Sequence, residues 1–119
     1  MRSWVAAVAD VVCVLVFVVI GRASHQEGDA LLGILTTAWP FLGGLAVGWL
    51  AARAWRAPYA VAPAGVIVWL ATLVGGMLLR VASGQGTAPA FIIVAAVFLA
   101  VFLLGWRLLA LLARRVRSA

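Results

Sequence analysis

The sequence predicts an all-α membrane protein, a four-transmembrane-helix bundle running up-down-up-down with helix 2 kinked at Pro40. Three observations carry this reading. The 119 residues are 67% hydrophobic and only 10% charged, with a mean hydropathy of +1.22, where soluble domains sit nearer half apolar and a quarter charged. Four apolar runs, 4–21, 30–52, 61–81 and 88–113, are each long enough to cross a hydrocarbon core, which takes roughly 17–25 residues. The connections between them are short and rich in turn residues, which forces consecutive helices to run antiparallel. A chain this short cannot hide so much apolar surface in a core of its own, so lipid covers it, and 1–119 reads as a single domain.

Helix 1 begins after Arg2 and carries Asp10 inside the apolar run. At 100° per residue Ala6, Asp10, Cys13, Phe17, Gly21 and Ser24 fall on one stripe, with valines over much of the rest. The outline resembles a signal peptide, but Asp10 interrupts the apolar region and Gly21-Arg22-Ala23-Ser24 lacks a small-x-small cleavage pattern, so the segment is read as a membrane helix. Cys13 is the sole cysteine, which supports neither a disulfide framework nor a zinc site.

Helix 2 holds the stretch around which the rest is organised, T-T-A-W-P-F-L-G-G-L-A-V-G-W over 36–49. A lipid-facing helix has no use for its proline, glycines and threonines; small residues let another helix approach, and hydroxyls supply hydrogen bonds where water is absent. Gly33, Thr37, Pro40, Gly44, Gly48 and Ala51 align, and Gly44 and Gly48 are expected to pack a neighbour. Pro40 removes the hydrogen bond to the Thr36 carbonyl and crowds it, which bends the helix. Thr36 or Thr37 is the expected substitute partner for the freed carbonyls. The bend reads either as a hinge or notch, or as a fixed curve that wraps helix 2 around its neighbours.

Loop 2 carries Arg53, Arg56 and Pro58. On helix 3, Gly65, Trp69, Thr72, Gly76, Arg80 and Ser83 share a face, and Gly76 is a further packing glycine. Loop 3 is Ser83-Gly84-Gln85-Gly86, after which Thr87 is the expected N-cap of helix 4 and Pro89 falls in its first turn. On helix 4, Ala96, Ala100, Leu103, Arg107 and Arg114 align. Helix 2 and helix 4 also echo each other faintly, which reads either as a two-hairpin duplication or, given the unequal spacing, as chance. Thr37-Ala38-Trp39-Pro40-Phe41 and Gly48-Trp49 in one correspond to Thr87-Ala88-Pro89-Ala90-Phe91 and Gly105-Trp106 in the other, with spacings that differ by seven residues.

Several of these strings together resemble a known family. They are Gly21-Arg22-Ala23-Ser24-His25, Thr37-Ala38-Trp39-Pro40-Phe41, Gly76-Met77-Leu78-Leu79-Arg80, Gly84-Gln85-Gly86-Thr87 and Gly105-Trp106-Arg107. The chain resembles, over nearly its whole length, the domain of unknown function 3054 family, small integral membrane proteins common in actinobacteria. The resemblance implies a bacterial four-helix protein of the cytoplasmic (inner) membrane and no known activity. Arginine without any lysine, beside abundant alanine and valine, suits a high-GC genome.

The net charge of +6 comes from nine arginines against three acids. The arginines flank apolar runs, so membrane orientation explains them and nucleic acid is not an expected partner. Arg2, Arg53, Arg56, Arg114, Arg115 and Arg117 fall on one side and Arg22 and Arg80 on the other, which places both termini in the cytoplasm. Trp4 and Trp55 fall where an inner aromatic belt would lie.

Candidate functional residues are the polar ones that lipid disfavours. Asp10 must face the bundle and either pair or protonate. Asp10 and Arg107 lie at matching depths, about 9 and about 10 Å in from the same side at 1.5 Å per residue, and the first and last helices of an up-down bundle are neighbours. A pair would make Asp10 an anchor; without it Asp10 reads as a proton or cation relay, with Arg107 snorkelling to the interface. Arg22, Ser24, His25, Glu27, Asp29 and Arg80 form an outer polar cluster in which Arg80 is expected to meet Glu27 or Asp29. One histidine is too few to argue a metal. Trp39 and Trp69 lie deep, as filling or as the lining of a pocket.

Three function classes compete. The first is a structural or accessory protein that assembles with itself or docks on a larger membrane complex. The second is a transporter or channel subunit that uses Asp10, similar in outline to small multidrug resistance exporters, though the acid is aspartate and the arginine bias fixes one orientation. The third is a lipid or quinone binding module. No nucleophile–base set, phosphate-binding loop or metalloprotease helix is present, so neither enzyme activity nor a cofactor is expected.

Overall fold

The computed structural model describes residues 3–23 and 30–118. Among them every regular element is a helix, and four helices are long and apolar enough to cross a membrane: Ser3–Gly21, Leu31–Ala52, Val61–Ala82 and Pro89–Arg117. The regular elements are α1 (Ser3–Ala23), α2 (Ala30–Ala52), α3 (Val66–Ala82), α4 (Pro89–Leu99) and α5 (Gly105–Ser118). A 3₁₀ turn, Ala54–Arg56, follows α2, and π turns precede α3 (Val61–Gly65) and join α4 to α5 (Ala100–Leu104).

The helices close a ring in which α1 meets α2 and α4, and α3 meets α2 and α4, with the α2–α3 interface the most extensive. Small residues make that interface possible. A Cβ on Gly44 would stand 2.8 Å from the Ala71 carbonyl oxygen and 2.9 Å from that of Thr72, and one on Gly48 would stand 2.9 Å from the Ala71 methyl. Gly76 leaves room for the Phe41 ring, and Gly75 lies against the Gly44 backbone. The backbones approach this closely because nothing projects between them, and dispersion contacts take the place of the hydrophobic drive that lipid does not supply. The five phenylalanines form one linked cluster at the centre, with Phe17 edge-on to Phe41 at 5.4 Å and beside Phe98 at 6.0 Å, Phe91 beside Phe41 at 6.1 Å, and Phe102 edge-on to Phe98 at 5.4 Å. Outside, each span exposes large apolar side chains, among them Val12, Leu35, Leu78 and Val101. Such a surface is suited to lipid.

α2 continues unbroken through Pro40. The carbonyl that Pro40 cannot serve is that of Thr36, and it accepts a hydrogen bond from Gln85 Nε2 of loop 3 at 3.1 Å. The substitute partner is therefore neither threonine: Thr36 Oγ1 donates back to the Leu32 carbonyl at 2.8 Å. Loop 3 is shaped to deliver Gln85. Gly84, at φ +80°, ends α3 with the Gly84 amide on the Val81 carbonyl and the Gln85 amide on the Arg80 carbonyl, the paired bonds of a Schellman motif that a glycine closes without strain.

Three local expectations change. Thr87 does not cap α4; the N-cap is Ala88, extended at ψ 143°, with Pro89 at the first helical position. The pyrrolidine ring disfavours helical geometry in the residue before it and suits the first turn itself, so the boundary falls at the proline. The regular part of α3 begins at Val66, after a π turn in which Ala62 is extended (φ −130°, ψ 140°), because Pro63 restricts Ala62 in the same way. The fourth span reaches Ser118, beyond the expected end at 113.

The π turn inside the fourth span aligns its buried edge. Ala95, Leu99, Leu103 and Arg107 are all fully buried at a strict four-residue spacing. In a straight α-helix that spacing drifts about 40° per step. A π turn, with more residues per turn, takes back part of that drift and keeps Arg107 facing the interior.

Candidate functional site

Asp10 projects from α1 and Arg107 from α5, and both side chains are fully buried. They form a bidentate pair: Arg107 Nη2 donates to Asp10 Oδ2 at 2.7 Å and Nη1 to Oδ1 at 2.8 Å. The planar guanidinium fork matches the carboxylate, which makes this the strong geometry for a charge-assisted contact. The matched depths read from the sequence thus end in contact, and the interfacial rotamer for Arg107 is not adopted.

Two further donors complete the carboxylate. Trp49 Nε1 of α2 donates to Oδ2 at 2.8 Å, and Trp106 Nε1 of α5 to Oδ1 at 2.8 Å. Each oxygen therefore accepts two hydrogen bonds, one from Arg107 and one from an indole. A carboxylate offers about four lone-pair sites in all, and here four donors fill them. Four of the five N–H donors of the guanidinium are committed as well. Its Nε donates to the Pro58 carbonyl of loop 2 at 2.9 Å, and Nη1 also donates to the Leu103 carbonyl at 2.9 Å. Four segments meet here: α1, α2, loop 2 and the fourth span.

The surroundings fix the rotamers. The Arg107 guanidinium carbon lies 4.6 Å from the Trp106 ring centroid, and Tyr59 stands edge-on to the same ring at 5.3 Å. Gly65 makes room for the arginine stem, since a Cβ there would stand 2.9 Å from Arg107 Cδ. No buried side-chain nitrogen or oxygen lacks a hydrogen-bond partner among the described residues. In a membrane interior an orphaned polar group costs several kcal/mol, so a satisfied network of this kind pins the helices it joins.

The other candidates lie elsewhere. Thr37 is half-buried, and Pro40 is fully buried against the core. Trp39 is 46% exposed on the outer surface and does not line an interior pocket; it is the residue before the inward-facing Pro40, about 100° round the helix. Trp69 is half-buried and donates its N–H to the Ala96 carbonyl at 3.0 Å, tying α3 to α4. Gly44, Gly48 and Gly76 pack α2 on α3, as described. Arg80 is held by loop 3, with Nε donating to the Gly86 carbonyl at 2.8 Å, Nη1 to Gln85 Oε1 at 3.0 Å, and the guanidinium over Phe91 at 4.4 Å. Of the outer cluster, Ser24, His25, Glu27 and Asp29 lie outside the described residues, as does the side chain of Arg22, so the expected contact from Arg80 to Glu27 or Asp29 falls there too.

Trp49, Trp106, Pro58, Tyr59 and Gly65 join the site without standing out as site residues in the sequence. A signal for the first two exists in the repeated Gly-Trp of helices 2 and 4. No curated protein and no solved structure matches the chain. Residues 7–110 match the family described as "Protein of unknown function (DUF3054)", and with that match covering most of its length the chain belongs to this family.

Proposed function

We propose that the chain is a non-enzymatic structural or accessory protein of the bacterial cytoplasmic membrane, acting by self-assembly or by docking on a larger membrane complex. The observation that carries this reading is the fully engaged Asp10 carboxylate. A relay must take up and release a proton or cation, and this carboxylate would first have to shed a tryptophan or the arginine. The centre has the character of a fastener that holds four segments in one arrangement. Gly43, Gly44 and Gly48 of α2 are already used inside the α2–α3 interface, so association with a partner would use the exposed apolar faces.

The topology of this proposal is up-down-up-down, with a bend at Pro40 and both termini cytoplasmic. Antiparallel packing of α2 and α3 is supported by their opposed partner order: Gly43 approaches Leu79, Gly44 approaches Thr72 and Gly76, and Gly48 approaches Val68 and Ala71. Ser3 Oγ donating to the Trp55 carbonyl at 3.0 Å puts the start of α1 beside the end of α2. The cytoplasmic assignment rests on the arginine asymmetry.

A proteoliposome proton-flux assay tests the functional reading against the transporter alternative. Wild type and Asp10→Asn are expected to give the same flux as protein-free liposomes. A flux in wild type that Asp10→Asn abolishes would overturn the proposal and establish Asp10 as a carrier.

A further inference from the structure

The end of the bundle that carries the Asp10–Arg107 centre also carries an unbalanced crown of arginine. Arg53 and Arg56 are exposed in loop 2, which is tied to α5 through the Arg107–Pro58 bond. α5 then continues past the bundle, and every residue from Leu111 to Arg117 is exposed, including Arg115 and Arg117. The fourth span of 29 residues is about 44 Å long at 1.5 Å per residue, against a hydrocarbon core of about 30 Å. Its last turns therefore reach headgroup depth. There Leu108, Leu112 and Val116, spaced by four, present an exposed apolar edge while the arginines supply the charge.

Among the described residues the one acid is Asp10, and it is committed to Arg107. The side chains of Arg53, Arg56, Arg115 and Arg117 make no hydrogen bond or ion pair among the described residues. Trp55, between the two loop arginines, is 48% exposed, as an indole at the headgroup boundary would be. Apolar edge, aromatic anchor and uncompensated guanidinium groups at one depth fit one kind of partner, a phosphate-bearing lipid headgroup.

We propose that this crown is a binding surface for anionic phospholipid, with Arg115 and Arg117 of α5 and Arg53 and Arg56 of loop 2 contacting the headgroup phosphates. Guanidinium groups suit this role because their forked donors match phosphate oxygens. The surface is independent of whether Asp10 carries protons, so it stands or falls apart from the function proposed above.

The test titrates the full-length protein in a nonionic detergent with phosphatidylglycerol, phosphatidylcholine and glycerol 3-phosphate, following lipid adducts by native mass spectrometry. Phosphatidylglycerol is expected to bind at least about tenfold more tightly than phosphatidylcholine, with the preference collapsing near 1 M salt, where charges are screened within about 3 Å. Glycerol 3-phosphate is expected not to compete. The Arg115→Gln/Arg117→Gln variant should melt as wild type does, because both side chains are exposed, and should bind phosphatidylglycerol about 25-fold more weakly, about fivefold per arginine. Arg53→Gln/Arg56→Gln should act in the same direction. Equal binding of the two lipids, or unchanged phosphatidylglycerol binding in both variants, would overturn the proposal. Displacement by glycerol 3-phosphate would reassign the surface to free phosphate, and displacement by an equimolar RNA oligonucleotide would reassign it to nucleic acid.

Discussion

Trp49 and Trp106 donate their indole N–H groups to opposite oxygens of one carboxylate, that of Asp10, each at 2.8 Å. Each tryptophan follows a glycine, Gly48 and Gly105, in the two helices whose sequences echo each other. The phenylalanines of the same echo, Phe41 and Phe91, also meet, with centroids 6.1 Å apart. The two halves of the chain thus offer matching residues to a shared interior, and the carboxylate is the element they share.

Removing either indole N–H leaves one lone-pair site of a buried carboxylate open. Trp49→Phe and Trp106→Phe are each expected to lower stability by about 1–3 kcal/mol, the cost of leaving a buried polar group short of a partner. Thermal melting in detergent would check it. Melting temperatures equal to wild type for both variants would mean that the indoles do not support the carboxylate.

The Asp10–Arg107 pair is polarised by its neighbours. Position 10 faces two fixed donors, and position 107 faces two fixed acceptors, the Pro58 and Leu103 carbonyls. Asp10→Asn or Arg107→Leu alone should cost about 3–5 kcal/mol, since each leaves an uncompensated buried group. Exchanging the charges, Asp10→Arg with Arg107→Asp, should fail to rescue folding, because an arginine would then meet indole N–H groups and an aspartate would meet carbonyls. The double apolar change, Asp10→Leu with Arg107→Leu, should be milder than either single change. Full rescue by the exchange, measured as folded yield, would show that only the pairwise charge matters.

The pair is legible in the sequence, and much of its setting is not. Depth counted from the helix ends is one-dimensional, so Asp10 and Arg107 can be matched from the run lengths. The contribution of Trp49 and Trp106 depends on rotation about two helix axes. For Trp106 that rotation depends on a π turn that no residue between Ala100 and Leu104 announces. Gly44 and Gly48 declare themselves by spacing, because small residues four apart on an apolar helix have few uses other than close packing. Gln85 cannot be foreseen as the partner of the Thr36 carbonyl, because that contact joins positions 49 residues apart.

The glycines divide by what surrounds them. Gly44→Ala and Gly48→Ala would drive a methyl into backbone or Cβ atoms at 2.8 to 3.0 Å, and the leucine variants more so. Losses of about 1–3 kcal/mol are expected from overpacking. A Cβ on Gly105 would meet nothing within 4 Å, and the residue already has helical backbone angles. Gly105→Ala should therefore stabilise by about 0.4–1 kcal/mol through the unfolded state and helix propensity. Melting temperatures that moved in the same direction for Gly44→Ala and Gly105→Ala would undo this division.

The orientation can be read with single cysteines in a Cys13→Ala background. An impermeant thiol reagent applied outside intact cells should label Gln26→Cys and spare Ser118→Cys. The reverse pattern would invert the topology proposed from the arginine asymmetry.

The last prediction concerns Pro40 and Gln85. Pro40 has no N–H, so the Thr36 carbonyl lacks the partner that helix geometry would supply. Gln85 Nε2 fills the position at 3.1 Å from a loop whose shape Gly84 sets. Gln85 also receives Arg80 Nη1 on its Oε1 at 3.0 Å, so one amide links the middle of α2 to the end of α3. Gln85→Leu should cost about 0.5–1.5 kcal/mol, a typical net hydrogen bond. Pro40→Ala restores a backbone donor to Thr36, and in that background Gln85 has less to contribute. The two changes should therefore couple, with Gln85→Leu costing less in the Pro40→Ala protein than in wild type by at least about 0.5 kcal/mol, the threshold above which contacting residues depart from additivity. A double-mutant cycle on detergent melts measures it directly. Strict additivity would mean that the Thr36 carbonyl is satisfied in some other way and that loop 3 does not brace the proline.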